Sequence, residues 1–363
     1  MPGASRSKSA KPSATKPAKI KHKAVATGER RAVAPKPVKR TAKPIAKPQA
    51  AKPTPQKPNV KATAGATPRL IVGVGLATVD MLCVAPRIGD RLVELSVFSM
   101  QGGGTVGNMV ATAAALGAPA RFFGRVGDDD FGRYITRGLE AYKVDCSMVT
   151  PQPGAMSPLS IVQIDELSRR RKILTTRGSV TPLTPKDLPR KLLDGAALLC
   201  IDGYNPAVQA VVAEKARDRG VPVLLNASHL VGGMGELLGI ADIVIGSERF
   251  ANEFAPSDKV EQSLSEIVRL GPKTAVITLG NDGAIALEGD KLVQQGSLDV
   301  FVADSTGAGD VFCGAFAYAT VMGWPLEKAL SFANTTAGLR CRSIGAREGI
   351  PNLKEVLEAL EPE

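Results

Sequence analysis

Apolar, β-branched-rich runs alternate with stretches of helical period from Arg69 onward, and this rhythm constrains the chain more than any other feature. The runs are RLIVGVG from Arg69, then 120–125 (ARFFGR), 196–201 (AALLCI), 221–226 (VPVLLN), 241–246 (ADIVIG) and 273–278 (KTAVIT). Helical patterns fall at 107–116, 130–142, 206–219, 260–270, 309–322 and 325–340. A strand that is apolar on both sides is buried on both faces, so strands of this kind alternating with helices imply a parallel sheet covered twice over. The pattern predicts an α/β fold: a three-layer sandwich around a mainly parallel central sheet.

Two stretches depart from it. Residues 82–100 (LCVAPRIGDRLVELSVFSM) and 158–174 (PLSIVQIDELSRRRKIL) alternate apolar and polar residues over short spans, which reads as antiparallel strands. Inserted between parallel units, they would form a small β lid over one end of the main sheet. Val93, Leu95 and Val97, and likewise Leu159 and Ile161, would line an apolar face of it. Such a face needs cover, and a homodimer through the lids would supply it, with the same patch used on both chains. The basic run Arg169 to Lys172 could reach an anionic group of a substrate, or stand solvated.

The first 68 residues have another character. They hold seventeen Lys and Arg against one acid, Glu29, and eleven prolines, with no Phe, Tyr or Trp. The whole chain of 363 residues carries +11 and this segment +16, so the remaining 295 residues carry −5. Proline removes helix and ladder donors, and so few large apolar groups cannot offset the entropy of ordering. Residues 1–68 therefore read as a disordered basic Lys/Pro/Ala-rich tail, either a solvated arm or a polycation that binds nucleic acid by counterion release. Residues 69–363 form the folded body.

Five cysteines, an odd number with no C-x-x-C pair, read as buried reduced thiols of a cytoplasmic protein. With only two histidines, the sequence argues against a zinc site built on His and Cys. No apolar run has the ~20 residues needed to span a bilayer, and the chain shows no secretory leader. A P-loop is excluded, because the sequence contains no Gly-Lys dipeptide.

The segment Asp304-Ser-Thr-Gly-Ala-Gly-Asp310 precedes an apolar helical pattern with small residues at Gly314, Ala315, Ala317 and Ala319. A glycine-rich turn at a helix N-terminus presents free N–H groups and about half a positive charge, which together make an anion site. Gly307 and Gly309 let an anion approach the backbone. Asp310 would repel a phosphate unless it had a task, and taking a proton from an attacking hydroxyl is one. An ordinary helix start capped by Asp310 fits the same spacing.

DSTGAGDVFCGAFA resembles the C-terminal signature of the ribokinase-like (PfkB) family of carbohydrate kinases, and the likeness extends over roughly 69–360. It implies a Rossmann-like sandwich with Asp310 as catalytic base and the amides of Gly307, Ala308 and Gly309 as the anion hole. It implies ATP and Mg²⁺ as co-substrate and metal, and a monovalent-cation site near Asp304 and Thr306 that would take K⁺. Gly102 to Asn108, leading into MVATAAALGA, resembles the N-terminal signature, whose matching residues Gly103, Gly104 and Asn108 contact the sugar. Val110 stands where that signature has a small residue. Asp80, five residues after Gly75, matches a sugar-binding Asp. On the nucleotide side, Thr278, Gly280 and Gly283 match a T-L-G-x-x-G turn, and Asn334 matches a residue near adenine. The family's N-x-x-E is altered: Ser247 replaces the Asn, Phe250 replaces the Glu, and Glu248 could substitute. Ser-type variants and the segment CRSIGAREGIP at 341–351 resemble the ketohexokinase and sulfofructose kinase branch.

Gly102 to Gly107 also fits G-x-G-x-x-G, but SVFSM before it does not read as a buried strand, which counts against a dinucleotide site. The sequence thus points to an ATP-dependent sugar kinase. The alternatives are a nucleoside or sugar-phosphate kinase on the same fold, or a nucleic-acid-associated protein tethered by its tail.

Overall fold

The computed structural model describes residues 68–87, 92–168, 170–257 and 259–361. The tail reading concerns residues 1–68, of which 1–67 lie outside the described residues, as does Arg169. In chain order the strands are β1 (Leu70–Val74), β2 (Thr78–Ala85), β3 (Val97–Gly103), β4 (Ala120–Phe123), β5 (Arg125–Gly127), β6 (Thr150–Gln152), β7 (Leu159–Asp165), β8 (Arg171–Thr176), β9 (Ala196–Ile201), β10 (Val223–Ala227), β11 (Ile243–Ser247), β12 (Thr274–Thr278), β13 (Ala284–Glu288) and β14 (Lys291–Gln295). The helices are α1 (Thr105–Ala115), α2 (Asp130–Glu140), α3 (Pro206–Asp218), α4 (Met234–Ile240), α5 (Glu248–Phe254), α6 (Val260–Arg269), α7 (Ala308–Val321), α8 (Leu326–Arg340) and α9 (Leu353–Leu360).

Eight strands form the main sheet in the order β14-β13-β12-β11-β10-β9-β1-β4. From β4 to β12 all neighbours run parallel, and β13 and β14 add an antiparallel edge. Because successive side chains of a strand point to opposite faces, the continuous apolar runs feed two cores. Ile71, Leu198, Leu224 and Val276 pack with Phe312, Phe316 and Phe332 of α7 and α8 on one face. Val72, Leu199, Leu225 and Val244 pack with Val208, Leu237, Phe250 and Leu264 of α3 to α6 on the other. This is the expected three-layer sandwich.

A second sheet has the order β3-β2-β7-β8. It is the small sheet expected from residues 82–100 and 158–174, with two corrections. Its hairpins are antiparallel, but β2 and β7 meet in parallel, because the long excursion through α1 and α2 separates them. Its strands also begin earlier and end later than the span 82–100, so Asp80 lies within β2 and Gly103 ends β3. Ile344 packs beneath Leu82, Val84, Val162 and Ile164 of this sheet. Val93 and Leu95 precede β3 in a segment without strand structure, and Val97 pairs with Val84, on the face that carries Leu82. The opposite face carries Met81, Phe98, Ile161 and Leu174 instead. The edge hairpin β13–β14, the small β5–β6 pair and helices α4, α5 and α9 were not expected.

From β1 the chain builds β4 on one side, and then β9 onward on the other. That reversal opens a crevice at the carboxyl ends of β1 and β9. Asp202 lies there, directly after β9, and its Oδ2 accepts from the N–H of Leu76 at 2.9 Å. A Cβ at Gly75 would fall 2.6 Å from the same carboxylate, so the two strand ends close only on glycine. Among the described residues no helix is long and apolar enough to cross a membrane.

Candidate active site

Asp304 to Asp310 lead into α7. Gly307 is the N-cap, with φ 75° in the left-handed region, and a Cβ there would lie 2.6 Å from that of Ala346. Only glycine turns the chain here without strain. The Val311 N–H makes the first bond into the helix, to the Gly307 carbonyl at 2.9 Å, and the Ala308 N–H leans back on the Ser305 carbonyl at 3.3 Å. Among the described residues the N–H groups of Gly309 and Asp310 have no acceptor. Gly309 faces open space. Two unspent N–H groups on a helix N-terminus make a place for an anion.

Asp310 stands beside it, fixed by two amides. Asn108 Nδ2 donates to its Oδ2 at 2.9 Å, and Asn226 Nδ2 donates to its Oδ1 at 3.1 Å. The small residues of α7 make the first contact possible: a Cβ on Gly314 would sit 2.5 Å from the Met109 carbonyl, so α7 and α1 cross at van der Waals distance. Burial pushes the Asp310 pKa up to about 7, against the pull of Asn108 and Asn226, and the charges of Asp202 and Asp80 add to the rise. A carboxylate poised near neutrality is suited to proton transfer.

Behind Asn108 lies Arg347, 3% exposed. Its Nε donates to Asn108 Oδ1 at 3.0 Å, and its Nη2 to the Gly103 carbonyl at 2.7 Å. With its oxygen held by a guanidinium, the Asn108 amide must present its NH₂ to Asp310. Burial lowers the Arg347 pKa to about 10, while the charge of Asp80 resists the fall. Arg347 thus connects Gly103, through Asn108, to Asp310.

Beside Gly103, the Thr78 hydroxyl donates to Asp80 Oδ1 at 2.7 Å. Burial raises the Asp80 pKa against the hydrogen bond from Thr78 and the charge of Arg347. A Cβ on Gly103 would fall 2.2 Å from the Asp80 carboxyl carbon, so the carboxylate rests on bare backbone. Gly104, with φ 84°, caps α1 and would strike Ala77 with any side chain. Val110, fully buried, packs over Gly73 and so belongs to the core. The structure therefore brings Asp80, Gly103, Gly104, Asn108 and Asp310 to one place.

The nucleotide-side candidates cluster separately, at the carboxyl ends of β11 and β12, where Ser247 and Thr278 are register partners. The Thr278 hydroxyl donates to the Gly246 carbonyl at 3.3 Å. Gly280 and Gly283 both have positive φ, and a Cβ on Gly283 would meet the Gln295 carbonyl at 2.0 Å. Asn334 is spent on tying α8 to β14, donating to the same Gln295 carbonyl at 2.9 Å. Ser247 caps α5, accepting from the Phe250 N–H at 3.0 Å and donating to the Ser228 carbonyl at 2.7 Å. Phe250 is buried and stacked on Phe254, so the position that is Glu in N-x-x-E has joined the core. Glu248 is exposed on the first turn. From β8, Arg171 reaches the turn before α7, with Nη1 2.9 Å from Ser305 Oγ.

Sequence reasoning missed Asn226, Asp202 and Arg347. Asn226 had a signal, a polar residue closing an apolar strand run. Arg347 had none: a charged residue in a loop gives no sign that the fold will bury it.

The chain matches the pfkB family of carbohydrate kinases over residues 68–353. It is 30% identical over 298 residues to the ribokinase of Bacillus subtilis, covering 80% of this chain and 99% of that protein. It is 24% identical over 310 residues to an ATP-dependent 6-phosphofructokinase of Thermoanaerobacterium thermosaccharolyticum, covering 79% and 92%. The fold superposes on the ribokinase of Arabidopsis thaliana complexed with ribose and ATP with a TM-score of 0.72 at 27% identity, covering 82% and 100%.

Proposed function

Because the chain belongs to the pfkB family of carbohydrate kinases, we propose that it transfers the γ-phosphoryl group of MgATP to a primary hydroxyl of a sugar held by Asp80, Gly103, Gly104 and Asn108. Asp310 takes the proton of that hydroxyl, the freed oxygen forms the new bond to phosphorus, and the bond to ADP breaks. The amides of the Gly307–Gly309 turn receive the charge of the moving group; one preorganised donor of this kind is typically worth ~3 kcal/mol. Glu248, exposed at the start of α5, would be the acid to hold a Mg²⁺, which would neutralise part of the phosphate charge. Thr278, Gly280, Gly283, Asn334 and Ser247 form the nucleotide side. The observation that carries this reading is the Asp310 carboxylate, held by two amides beside unspent helix-start N–H groups.

ADP release from MgATP should depend on an acceptor in a panel of sugars, sugar phosphates and nucleosides. Activity confined to nucleosides or to sugar phosphates would replace the free-sugar reading with one of those. Turnover should climb with pH through about 7 and then level off, because only the ionised Asp310 accepts a proton. The folded pKa lies above the ordinary carboxylate value, so the native state binds the extra proton. That contribution to stability is complete at low pH and is lost as pH rises through about 7. A flat activity profile between pH 5 and 9 would contradict the assignment of the base.

We also infer a cytoplasmic protein, supported by five cysteines without disulfides. The basic tail is read as a nucleic-acid-binding arm, supported by its net charge of +16. Deleting residues 1–66 should leave sugar phosphorylation and Tm unchanged and abolish nucleic-acid binding that weakens steeply with salt. Nucleic-acid binding retained after the deletion would sink that reading.

The lid face that carries Phe98, 60% exposed, with Leu174 at 44% is the surface for a homodimer. Phe98→Glu should yield a monomer by light scattering, because a buried unpaired carboxylate is costly. An unaltered chain that is monomeric at micromolar concentration rules the dimer out.

A further inference from the structure

Arg340, in the last turn of α8, has no exposed surface. A guanidinium is always charged and carries five N–H donors in a rigid fork, so its burial is tolerable only where acceptors surround it. Here they do. Nη1 donates to the Asp304 carbonyl at 2.6 Å, Nε donates to the Ala346 carbonyl at 3.4 Å, and Nη2 donates to the Gly345 carbonyl. Nη2 also lies 3.6 Å from Asp304 Oδ2.

The Asp304 carboxylate is engaged on its other sides too. Its Oδ1 accepts from the N–H of Thr306 at 3.0 Å and from its hydroxyl at 2.8 Å, and its Oδ2 accepts from the Gly345 N–H at 2.9 Å. Arg171 of the lid adds a second guanidinium, 3.9 Å from Oδ1.

Three carbonyls and one buried carboxylate, drawn from two segments that meet behind the anion turn, are the oxygen set that replaces the water shell of K⁺. The resemblance to the family placed a monovalent cation at Asp304 and Thr306. In this chain the oxygens such an ion would need are already turned onto a guanidinium. A K⁺ beside Arg340 would compete with a fixed positive charge for the same carbonyls, so the residues present do not fit the ion.

We propose that Arg340 is a covalently attached counter-cation. It takes the place of the monovalent ion, holds Asp304 and the 345–346 segment together, and so fixes the Gly307–Gly309 turn without K⁺. It is a positioning residue and does not touch the transferred group. The inference rests on the reading that this turn holds the phosphoryl group, and it makes the kinase indifferent to monovalent cations.

The test compares the full chain in potassium chloride and in choline chloride at equal ionic strength, reading Tm and the Kd for MgATP. Both should agree between the two salts, with Kd within about twofold. Arg340→Ala opens the site: in choline chloride its MgATP affinity should fall by about tenfold or more, and potassium should restore part of it and raise Tm. A purely structural role would give a variant weakened equally in both salts. Arg340→Lys keeps the charge and should stay insensitive to potassium.

An unaltered chain whose Tm or MgATP affinity needs potassium overturns the proposal, and that result stands even where Arg340→Ala fails to fold. So does an Arg340→Ala variant whose loss is the same in both salts. MgATP binding absent in every salt would instead defeat the kinase reading, while the Tm comparison would still decide whether the site responds to potassium.

Discussion

Asp310→Asn lowers turnover by ~10²–10⁴-fold while MgATP still binds. The substitution is nearly isosteric and keeps one of the two amide contacts; because Asn108 and Asn226 donate to different carboxylate oxygens, the other amide then faces the new NH₂ group and loses its acceptor. What disappears is the ability to take a proton. The rise of activity through neutral pH should disappear with it, and the variant's stability should no longer fall as pH rises through about 7, because it has no carboxyl group to ionise there. Steady-state kinetics and MgATP calorimetry on the folded variant check this. Near-normal turnover would remove Asp310 from its role.

Arg347→Met acts on the same base from further away. The thioether fills part of the buried volume but leaves Asn108 Oδ1 and the Gly103 carbonyl without donors. Removing one partner of a buried charged network typically costs ~3–5 kcal/mol, so Tm falls markedly. The loss also reaches the chemistry. The Asn108 amide is free to rotate away from Asp310, and a misplacement of about 1 Å at a reacting group can cost ~10²-fold in turnover. With the positive charge gone, the Asp310 pKa rises further, so the activity profile moves to higher pH. A variant that lost only stability, with an unmoved pH profile, would show that Arg347 merely fills space. Arg347→Lys separates charge from geometry: it keeps the first and loses the rigid fork.

The parts legible in the sequence share one property: they rest on local pattern. The apolar strand runs at 196–201 and 273–278 gave their strands nearly to the residue, because burial on both faces keeps them apolar, with Thr274 and Thr278 only at the two ends of the second. The turn at 304–310 was legible because glycine spacing at a helix start has few physical uses. The lid was legible only in outline. Thr78 to Asp80 and Gly102 to Gly103 extend its strands, but the glycines masked the alternation that marked the rest. The parallel meeting of β2 and β7 was hidden, since pairing between strands that distant in sequence leaves no local trace. The edge hairpin escaped because both strands are only five residues long, AIALE buried just over Ala284 to Ala286 and KLVQQ largely exposed.

The site followed the same division. Asp310, Asp80 and Asn108 stood in motifs, whereas Arg340 and Arg347 looked like surface charges of a helix end and a loop. What gives them meaning is the return of the 345–347 segment beneath α1 and the anion turn, a contact spanning 239 residues from Asn108 to Arg347.

The crossing of α7 over α1 at Gly314 changes how tolerance to mutation would read in this protein. Gly314 lies one helical turn beyond Asp310, shielded from any ligand, and a survey by burial would file it with the hydrophobic interior. Yet the separation of the two helices there sets the reach of Asn108 to the base. Even a methyl group would wedge them apart and lengthen that reach. A chain that stays folded and abundant would then turn over slowly, so a screen on expression alone would pass such a variant and a screen on turnover would not.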